Sequence, residues 1–389
     1  MKRVSVIYKP RNMLVGTLLQ DGRETLFEYD SAFIATGLNL SPYTLPLQLG
    51  IQKSAPRMRA GLHGLFDDSL PDGWGLLLMD RELRKRGHLS PHLPLDRLTY
   101  IGDTAMGALS YEPADPPEAD SSLFDLQAIA EDAVRFYEGD VDHVLPALVK
   151  AGGSPGGARP KILVGINDQN HMISGENDLP AGYEHWIIKF ASRSEIGNAG
   201  KREYAYYLMA QDSGLSMMES RLFDVEGISY FGTRRFDRLE NMRIHMHTAG
   251  NMVDADFRQP SMSYLDLCKL TYDLTKNYSD MLTMYRMMVF NVLTHNRDDH
   301  VKNFAFLMDD DGEWRLAPAY DLTFSNGPGG EHTTDVAGKG KDITEMDMLK
   351  VASGAGIERN KAKLVIEQVQ SVVSNSSHYA EQVGLNSLV

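Results

Sequence analysis

Asn296-Arg297-Asp298-Asp299-His300-Val301-Lys302-Asn303, followed downstream by Tyr320-Asp321-Leu322, is the stretch on which the reading of this 389-residue chain turns. Asp298 and Asn303 stand five residues apart, and Asp321 follows 18 residues later. A carboxylate at 298 can orient or deprotonate a hydroxyl. An amide oxygen at 303 and a second carboxylate at 321 can hold Mg2+ over phosphates in a nearly fixed geometry. The residues between them predict a hairpin, 304–307 with 314–316, whose turn Asp309-Asp310-Asp311-Gly312 returns the chain to the loop. That acidic turn reads as solvated, because the spaced ligands and closing Glu of a calcium loop are missing. His295 and His300 do not share a helix face and no third nitrogen ligand accompanies them, which disfavours a zinc-type site. His300 is expected to orient the loop by hydrogen bonds.

Upstream lie the parts that a nucleotide site needs beside the acids. Lys189 ends the apolar run Trp186-Ile187-Ile188 and is placed to contact α- and β-phosphates, and Glu203 on a predicted helix can hold it by an ion pair. Gly152-Gly153-Ser154-Pro155-Gly156-Gly157-Ala158-Arg159-Pro160-Lys161 precedes a strand, and its glycines allow backbone N–H groups to approach phosphate oxygens. It lacks the Gly-Lys-Ser/Thr of a Walker A loop, and taken alone it reads equally as an interlobe linker. Ser154 has no nucleophile-elbow context. The order is what decides: Gly-rich loop, strand lysine, helix glutamate, Asp-x4-Asn, then Asp is the order of parts in a protein kinase.

Composition bounds the rest. With 39 Lys+Arg, 53 Asp+Glu and a net charge of −14, the chain repels phosphate backbones, so a broad nucleic-acid groove is disfavoured. Residues 101–150 carry 2 basic against 11 acidic residues, whereas residues 1–100 carry 13 against 10. The segment 112–142 is therefore expected to be a solvated, extended acidic connector, with Glu112-Pro113-Ala114-Asp115-Pro116-Pro117-Glu118 as its chain-breaking start. Cys268 is the one cysteine, which excludes a disulfide framework and cysteine-based metal sites and fits a cytoplasmic location. The first apolar run breaks at Lys9-Pro10-Arg11, too early for a signal peptide, and no membrane association is expected.

The expected architecture is α+β in two lobes, strands first and helices second. Residues 4–8, 14–19 and 24–29 form an antiparallel meander, and a helix runs to about Arg86 with Asp72 as its cap. Strands follow at 161–166 and 184–190, a helix at 203–212, and helices at 264–293 and 356–373. The boundaries expected are a β-rich module over 1–110, the connector with a helix over 111–145, an N-lobe with the Gly-rich loop over 146–240, and a helical C-lobe over 241–389.

The chain resembles the HipA family, serine/threonine-protein kinase toxins of bacterial toxin–antitoxin modules. Leu70-Pro71-Asp72-Gly73-Trp74-Gly75, Gly157-Ala158-Arg159-Pro160-Lys161, Arg235-Phe236-Asp237-Arg238, the run 298–303 and Pro318-Ala319-Tyr320-Asp321 carry the likeness over nearly the whole length. The resemblance implies a fold related to protein and phosphoinositide kinases, with ATP and Mg2+ as cofactors and the nucleotide between the lobes. Asp298 would be the base, Asn303 and Asp321 the metal ligands, and Lys189 the phosphate-contacting lysine. Gly156, Gly157, Ala158 and Lys161 would belong to the phosphate loop, and Arg234 and Phe236 to the hinge facing adenine. His300, Lys302 and Tyr320 would complete the nucleotide site. Ser154 falls at the position of an autophosphorylated serine that inactivates the kinase.

Three positions depart from the family pattern. Asp299 stands in place of a glycine and is expected to add charge beside Mg2+, Arg159 replaces a glutamine, and Arg234 a glutamate. The implied partners are a HipB-like helix-turn-helix antitoxin that makes the DNA contacts and a protein substrate of the aminoacyl-tRNA synthetase class, notably glutamyl-tRNA synthetase. Two other functions stay open: an antitoxin-bound corepressor with a vestigial kinase site, and a small-molecule or lipid kinase. No basic membrane-facing helix or lipid anchor supports the last.

Overall fold

The computed structural model describes residues 2–22, 24–54, 61–87, 94–115, 126–137, 157, 159–175, 178–191 and 198–388. The chain divides into two compact units, one of Met1–Gly200, Arg221–His247 and Asp309–Gly312, the other of Lys201–Ser220, Thr248–Met308 and Glu313–Val389. The architecture is α+β, with the sheets in the first unit and most of the helices in the second.

The first unit holds two five-stranded sheets. In the first, β1 (Arg3–Tyr8), β2 (Met13–Asp21), β3 (Glu24–Tyr29), β4 (Ile51–Lys53) and β5 (Leu109–Glu112) run in the order β4-β3-β2-β1-β5. Alternation sets the faces: Val4, Val6 and Tyr8 point inward from β1 while the residues between them stay partly open to solvent. The second sheet comprises β6 (Lys161–Asn167), β7 (Met172–Ser174), β8 (Tyr183–Lys189), β9 (Ser220–Val225) and β10 (Ile228–Arg234), in the order β7-β6-β8-β10-β9. Six of the seven residues of β6 are buried, as befits a strand next to the sheet centre.

A single hydrophobic cluster joins this second sheet to what precedes it. Ile162, Val164, Ile166, Trp186, Ile188, Phe223 and Tyr230 pack with Trp74 and Leu78 of the helix Gly73–Lys85 and with Leu126, Ile129, Ala130 and Ala133 of the helix Leu126–Tyr137. This corrects the expectation of a solvated extended connector over that stretch. Buried Leu126, Ile129, Ala130 and Ala133 recur at helical spacing, so one apolar face is drawn into the core; Glu131 stays exposed, whereas Asp132 is buried. Residues 116–125 and 138–150 of the expected connector lie outside the described residues.

The second unit is built around the helices Tyr264–Thr275, Tyr278–Thr294, Glu345–Gly354 and Arg359–Val373. Their core takes Tyr264, Leu267 and Cys268 from the first, Met284, Tyr285, Met288 and Phe290 from the second, Met348 and Val351 from the third, and Val365 and Val369 from the fourth. The methionines of 281–288 are thus packing residues, their unbranched thioethers filling irregular space. The helix expected over 264–293 is two helices. Lys276 adopts the left-handed conformation, φ 53°, and ends the first, and the Asn277 side chain accepts from the Ser279 amide to cap the second. The hairpin forms as expected, with Ala305–Met308 antiparallel to Trp314–Leu316 and Leu307 opposite Arg315.

Candidate active site

The loop after the helix Tyr278–Thr294 is shaped by its own polar side chains. His295 ends that helix in the left-handed conformation, φ 55°, and its carbonyl accepts from the Ser325 amide at 3.1 Å. Arg297 N–H donates to the Ser325 carbonyl at 3.3 Å, so residues 295–297 are tied along the chain that leaves Asp321. The Asn303 Nδ2 donates to the Asp298 carbonyl at 2.7 Å and closes the six residues 298–303 on themselves. That bond uses the amide nitrogen of Asn303, so its Oδ1 is the atom left to meet a cation. The Asp298 side chain itself is 62% exposed.

Asp321 has φ 57°, a conformation that Asp tolerates better than most residues and that is found at functional sites. Its carbonyl accepts from Asn296 Nδ2 at 3.3 Å, and the same nitrogen donates to Asn291 Oδ1 at 3.0 Å. The Tyr320 hydroxyl donates to the Lys302 carbonyl at 2.7 Å. The second unit therefore brings Asp298, Asn303, Lys302, Tyr320 and Asp321 into one hydrogen-bonded region. Asn303 and Asp321 supply oxygen donors, an amide and a carboxylate, which suits Mg2+, an ion that keeps waters and phosphate oxygens in its remaining positions. Among the described residues no group of three or more His, Cys, Asp or Glu side chains could hold a metal ion.

His300 contributes differently from expectation. Its Nε2 lies 4.0 Å from Asp298 Oδ1, and its ring stands edge-on to Phe257 with centroids 5.5 Å apart, so it is held by ring packing. Phe257 also carries the Lys302 ammonium 5.4 Å from its ring centroid. Sequence reading missed Phe257, which lies far from the motif in the chain with no spacing to mark it.

Asp299 departs from expectation most. It is fully buried and points away from solvent. Tyr264 Oη donates to its Oδ2 at 2.7 Å and His332 Nδ1 meets the same oxygen at 2.8 Å, while the Thr333 and Thr334 amides donate to Oδ1 at 2.8 and 3.3 Å. Four protein donors satisfy this carboxylate, so its charge is committed to the protein interior. The carboxylate expected to add charge beside Mg2+ thus has its oxygens engaged by these interior groups.

In the first unit the two lysines meet by register. Lys161 at the start of β6 pairs with Lys189 at the end of β8, and Phe231 of β10 lies across from Lys189 on the other side. Residues directly opposite on antiparallel strands share a face with Cβ atoms about 5 Å apart, and like charges there are unfavourable without an anion. Lys161 is only 6% exposed, and the Lys189 ammonium lies 5.8 Å from the Phe231 ring centroid. Gly157 lies against Lys161 with φ 103°, a backbone conformation that favours glycine, and a Cβ built there would displace the Lys161 ammonium.

The Leu70–Gly75 motif finds its partner in the same place. Asp72 is the N-cap residue of the helix Gly73–Lys85, as expected, but its side chain makes no cap hydrogen bond; its Oδ1 accepts from the Gly157 amide, and Trp74 N–H donates to the Gly157 carbonyl at 3.3 Å. Both backbone groups of Gly157 are thus held by the N-terminal module. Gly156, Ala158 and Ser154 lie outside the described residues.

At the end of β10 the Arg234 guanidinium pairs with Glu184 at 2.6 Å, and Phe236 is half-buried. Arg235 turns inward instead. Its Nε and Nη2 grip Asp237 at 2.9 and 2.7 Å, and Arg238 adds a bond of 2.6 Å to the same carboxylate. Glu203 is buried on the helix Ala199–Asp212.

Comparison with known proteins bears on the family and the fold. Residues 153–376 match the HipA-like C-terminal domain and residues 7–112 the HipA N-terminal domain. Two proteins of Sinorhizobium fredii, named "Putative kinase Y4dM" and "Putative kinase Y4mE", are each 26% identical to the chain, over 79% of it and 73% and 74% of their own lengths. The fold matches HipA in the Shewanella oneidensis complex of HipA, HipB and operator DNA with a TM-score of 0.73 at 16% identity, covering 98% of this chain and 91% of that one. The match across more than half the sequence, together with the fold, establishes that this chain belongs to the HipA family of kinase-like proteins.

Proposed function

We propose that this protein is an ATP- and Mg2+-dependent kinase that phosphorylates serine or threonine on a protein. The observation that carries the reading is the closed loop 298–303, in which the Asn303 side-chain N–H donates to the Asp298 carbonyl at 2.7 Å, so that its oxygen is the atom that would meet a cation. Asn303 and Asp321 would hold Mg2+, which when bound offsets the charge on the phosphates. Asp298 accepts the proton of the substrate hydroxyl as that oxygen bonds to the γ-phosphorus and the bond to the ADP oxygen breaks. Its exposed carboxylate is suited to meeting a hydroxyl on a separate protein. Lys161 and Lys189 offer two cations on one face to the phosphates of the nucleotide, and Gly157 offers a backbone that a side chain would block. Phe236 and Arg234 would be the adenine-side residues of this reading.

The partner and substrate follow from the family and belong to the same proposal. A HipB-like helix-turn-helix antitoxin would make most of the DNA contacts, since the net-acidic chain disfavours a broad DNA-binding surface of its own. An aminoacyl-tRNA synthetase, glutamyl-tRNA synthetase first, is the substrate class to try, and the action would be cytoplasmic. Among the described residues no helix is long and apolar enough to cross a membrane. Autophosphorylation at Ser154 would switch the kinase off, since a dianion in the Gly-rich loop opposes the phosphates of ATP.

The test is Asp298→Asn in the full chain, measured as transfer of the γ-phosphate of ATP to protein. Loss of about 10²–10⁴-fold in rate is expected, with Mg·ATP still bound. Intact mass after the same incubation reads Ser154. Wild-type rates in Asp298→Asn would overturn the base assignment, and nucleotide binding without transfer in the wild type would favour a corepressor.

A further inference from the structure

The Asp298 carboxylate is 62% exposed, and the backbone that carries it is held on both sides by hydrogen bonds to the protein. Both neighbours in sequence are held by the segment that follows Asp321. On one side, the Arg297 carbonyl accepts from Thr333 Oγ1 at 3.2 Å and its N–H donates to the Ser325 carbonyl. On the other, the Asp299 carboxylate collects Tyr264, His332 and the amides of Thr333 and Thr334, and the Asp299 carbonyl accepts from Thr334 Oγ1. His332 and Thr334 are themselves buried.

The same group reaches the other acid. Asn296 Nδ2 bonds the Asp321 carbonyl and Asn291 Oδ1, Asn291 Nδ2 donates to Tyr264 Oη at 2.9 Å, and Tyr264 Oη donates to Asp299. One buried chain of Asn296, Asn291, Tyr264 and Asp299 therefore runs from the backbone of Asp321 to the residue beside Asp298. Buried polar networks of this kind rigidify when every member is satisfied, and removing one member leaves its partner's desolvation uncompensated.

We infer that Asp299, with Tyr264 and His332, is the positioning set of the active site: it clamps residues 332–334 to the loop and sets the geometry of Asp298 against Asp321. These residues touch neither nucleotide nor hydroxyl; they act through the backbone of Asp298. The inference rests on the kinase reading proposed above. A displacement of a reacting group by about 1 Å costs on the order of 10²-fold in rate, while substrate binding made by other groups is spared.

Full-length wild type, Tyr264→Phe, His332→Ala, Asp299→Asn and Asp299→Ala are compared for ADP formation from Mg·ATP, for melting temperature, and for hydrogen exchange at the Thr333 and Thr334 amides. Tyr264→Phe deletes one oxygen and His332→Ala one ring, and each is expected to lower kcat by about 10–100-fold with KM for Mg·ATP within about twofold. Both amides should exchange faster. Asp299→Asn, whose amide oxygen can still face Thr333 and Thr334, should retain more activity than Asp299→Ala. An unchanged kcat in Tyr264→Phe or His332→Ala with a wild type that consumes ATP overturns the positioning role alone. A rate loss that only tracks the fraction of protein melted does the same. A folded wild type that forms no ADP from Mg·ATP overturns the kinase reading, and the positioning role with it.

Discussion

Asp237 shows how a charged residue can be structural without being stabilised by water. It is completely buried, with a two-pronged bond to Arg235, a third to Arg238 and a fourth from the Gly107 amide at 2.7 Å. Burial alone would raise its pKa, but the two guanidiniums override that and hold the carboxyl well below the usual range. Arg238 in turn bonds the Ala105 and Gly107 carbonyls, so the network ties the end of β10 to the loop before β5. Asp237→Ala would strand two buried guanidiniums, and a loss of about 3–5 kcal/mol is expected, read as a lower urea midpoint. Asp237→Asn should fall between that variant and wild type. In sequence, charges at 235, 237 and 238 look like a solvated turn; likeness to a family singled the segment out, but nothing local said that it faces inward. Asp298, Asn303 and Asp321 could be singled out from sequence because the Asp-x4-Asn interval lies within one loop and a predictable hairpin separates it from Asp321. Asp299, Phe257 and His332 could not, because what defines them is contact across 33 to 43 residues of chain.

At the scale of elements, periodicity located the strands β1, β3, β6 and β8 and the hairpin to within a residue or two, since one buried face imposes its period on the sequence. It failed where a composition signal overrode the pattern: the acid-rich stretch hid the buried face of the helix Leu126–Tyr137. It also failed at Lys276, where neither Gly nor Pro marks the left-handed residue between two helices. Gly16 is a further case, read simply as part of a strand. In β2 it pairs with Val6, and the next pair is Ile7 with Leu14, so Val15 is a bulged extra residue. A Cβ at Gly16 would strike the Glu28 carbonyl oxygen and the Phe27 ring. The carbonyl belongs to a paired strand and cannot swing aside. Gly16→Ala should therefore cost about 1–3 kcal/mol by forcing β2 and β3 apart, although alanine is ordinarily the better strand residue. Thermal melting checks it, and an unchanged midpoint would show that the sheet yields there.

The molecule carries part of its acidic asymmetry on a packed helix, Leu126–Tyr137. Its acid response is set instead by buried histidines of the first unit. Burial pushes His63 and His245 down to about 4, and burial with the Arg235 and Arg238 charges does the same to His185. The bond from His245 Nε2 to the Leu40 carbonyl at 2.9 Å fits a neutral ring. Unfolded, each titrates near 6.5, so between about pH 6.5 and 4 the unfolded chain binds more protons than the folded one. Stability is then highest above pH 6.5 and falls as the pH drops, by about 1.4 kcal/mol per pH unit for each histidine. Carboxylates remain largely ionised down to about pH 4.5, so relief of the net charge of −14 sets in too late to offset this loss. Melting of the first unit should shift steadily downward from pH 6.5 to 4.5, and His245→Gln, which cannot charge, should flatten part of that slope. A melting temperature constant across this range would mean that these rings accept protons in the folded state, and the packing argued for them would be wrong.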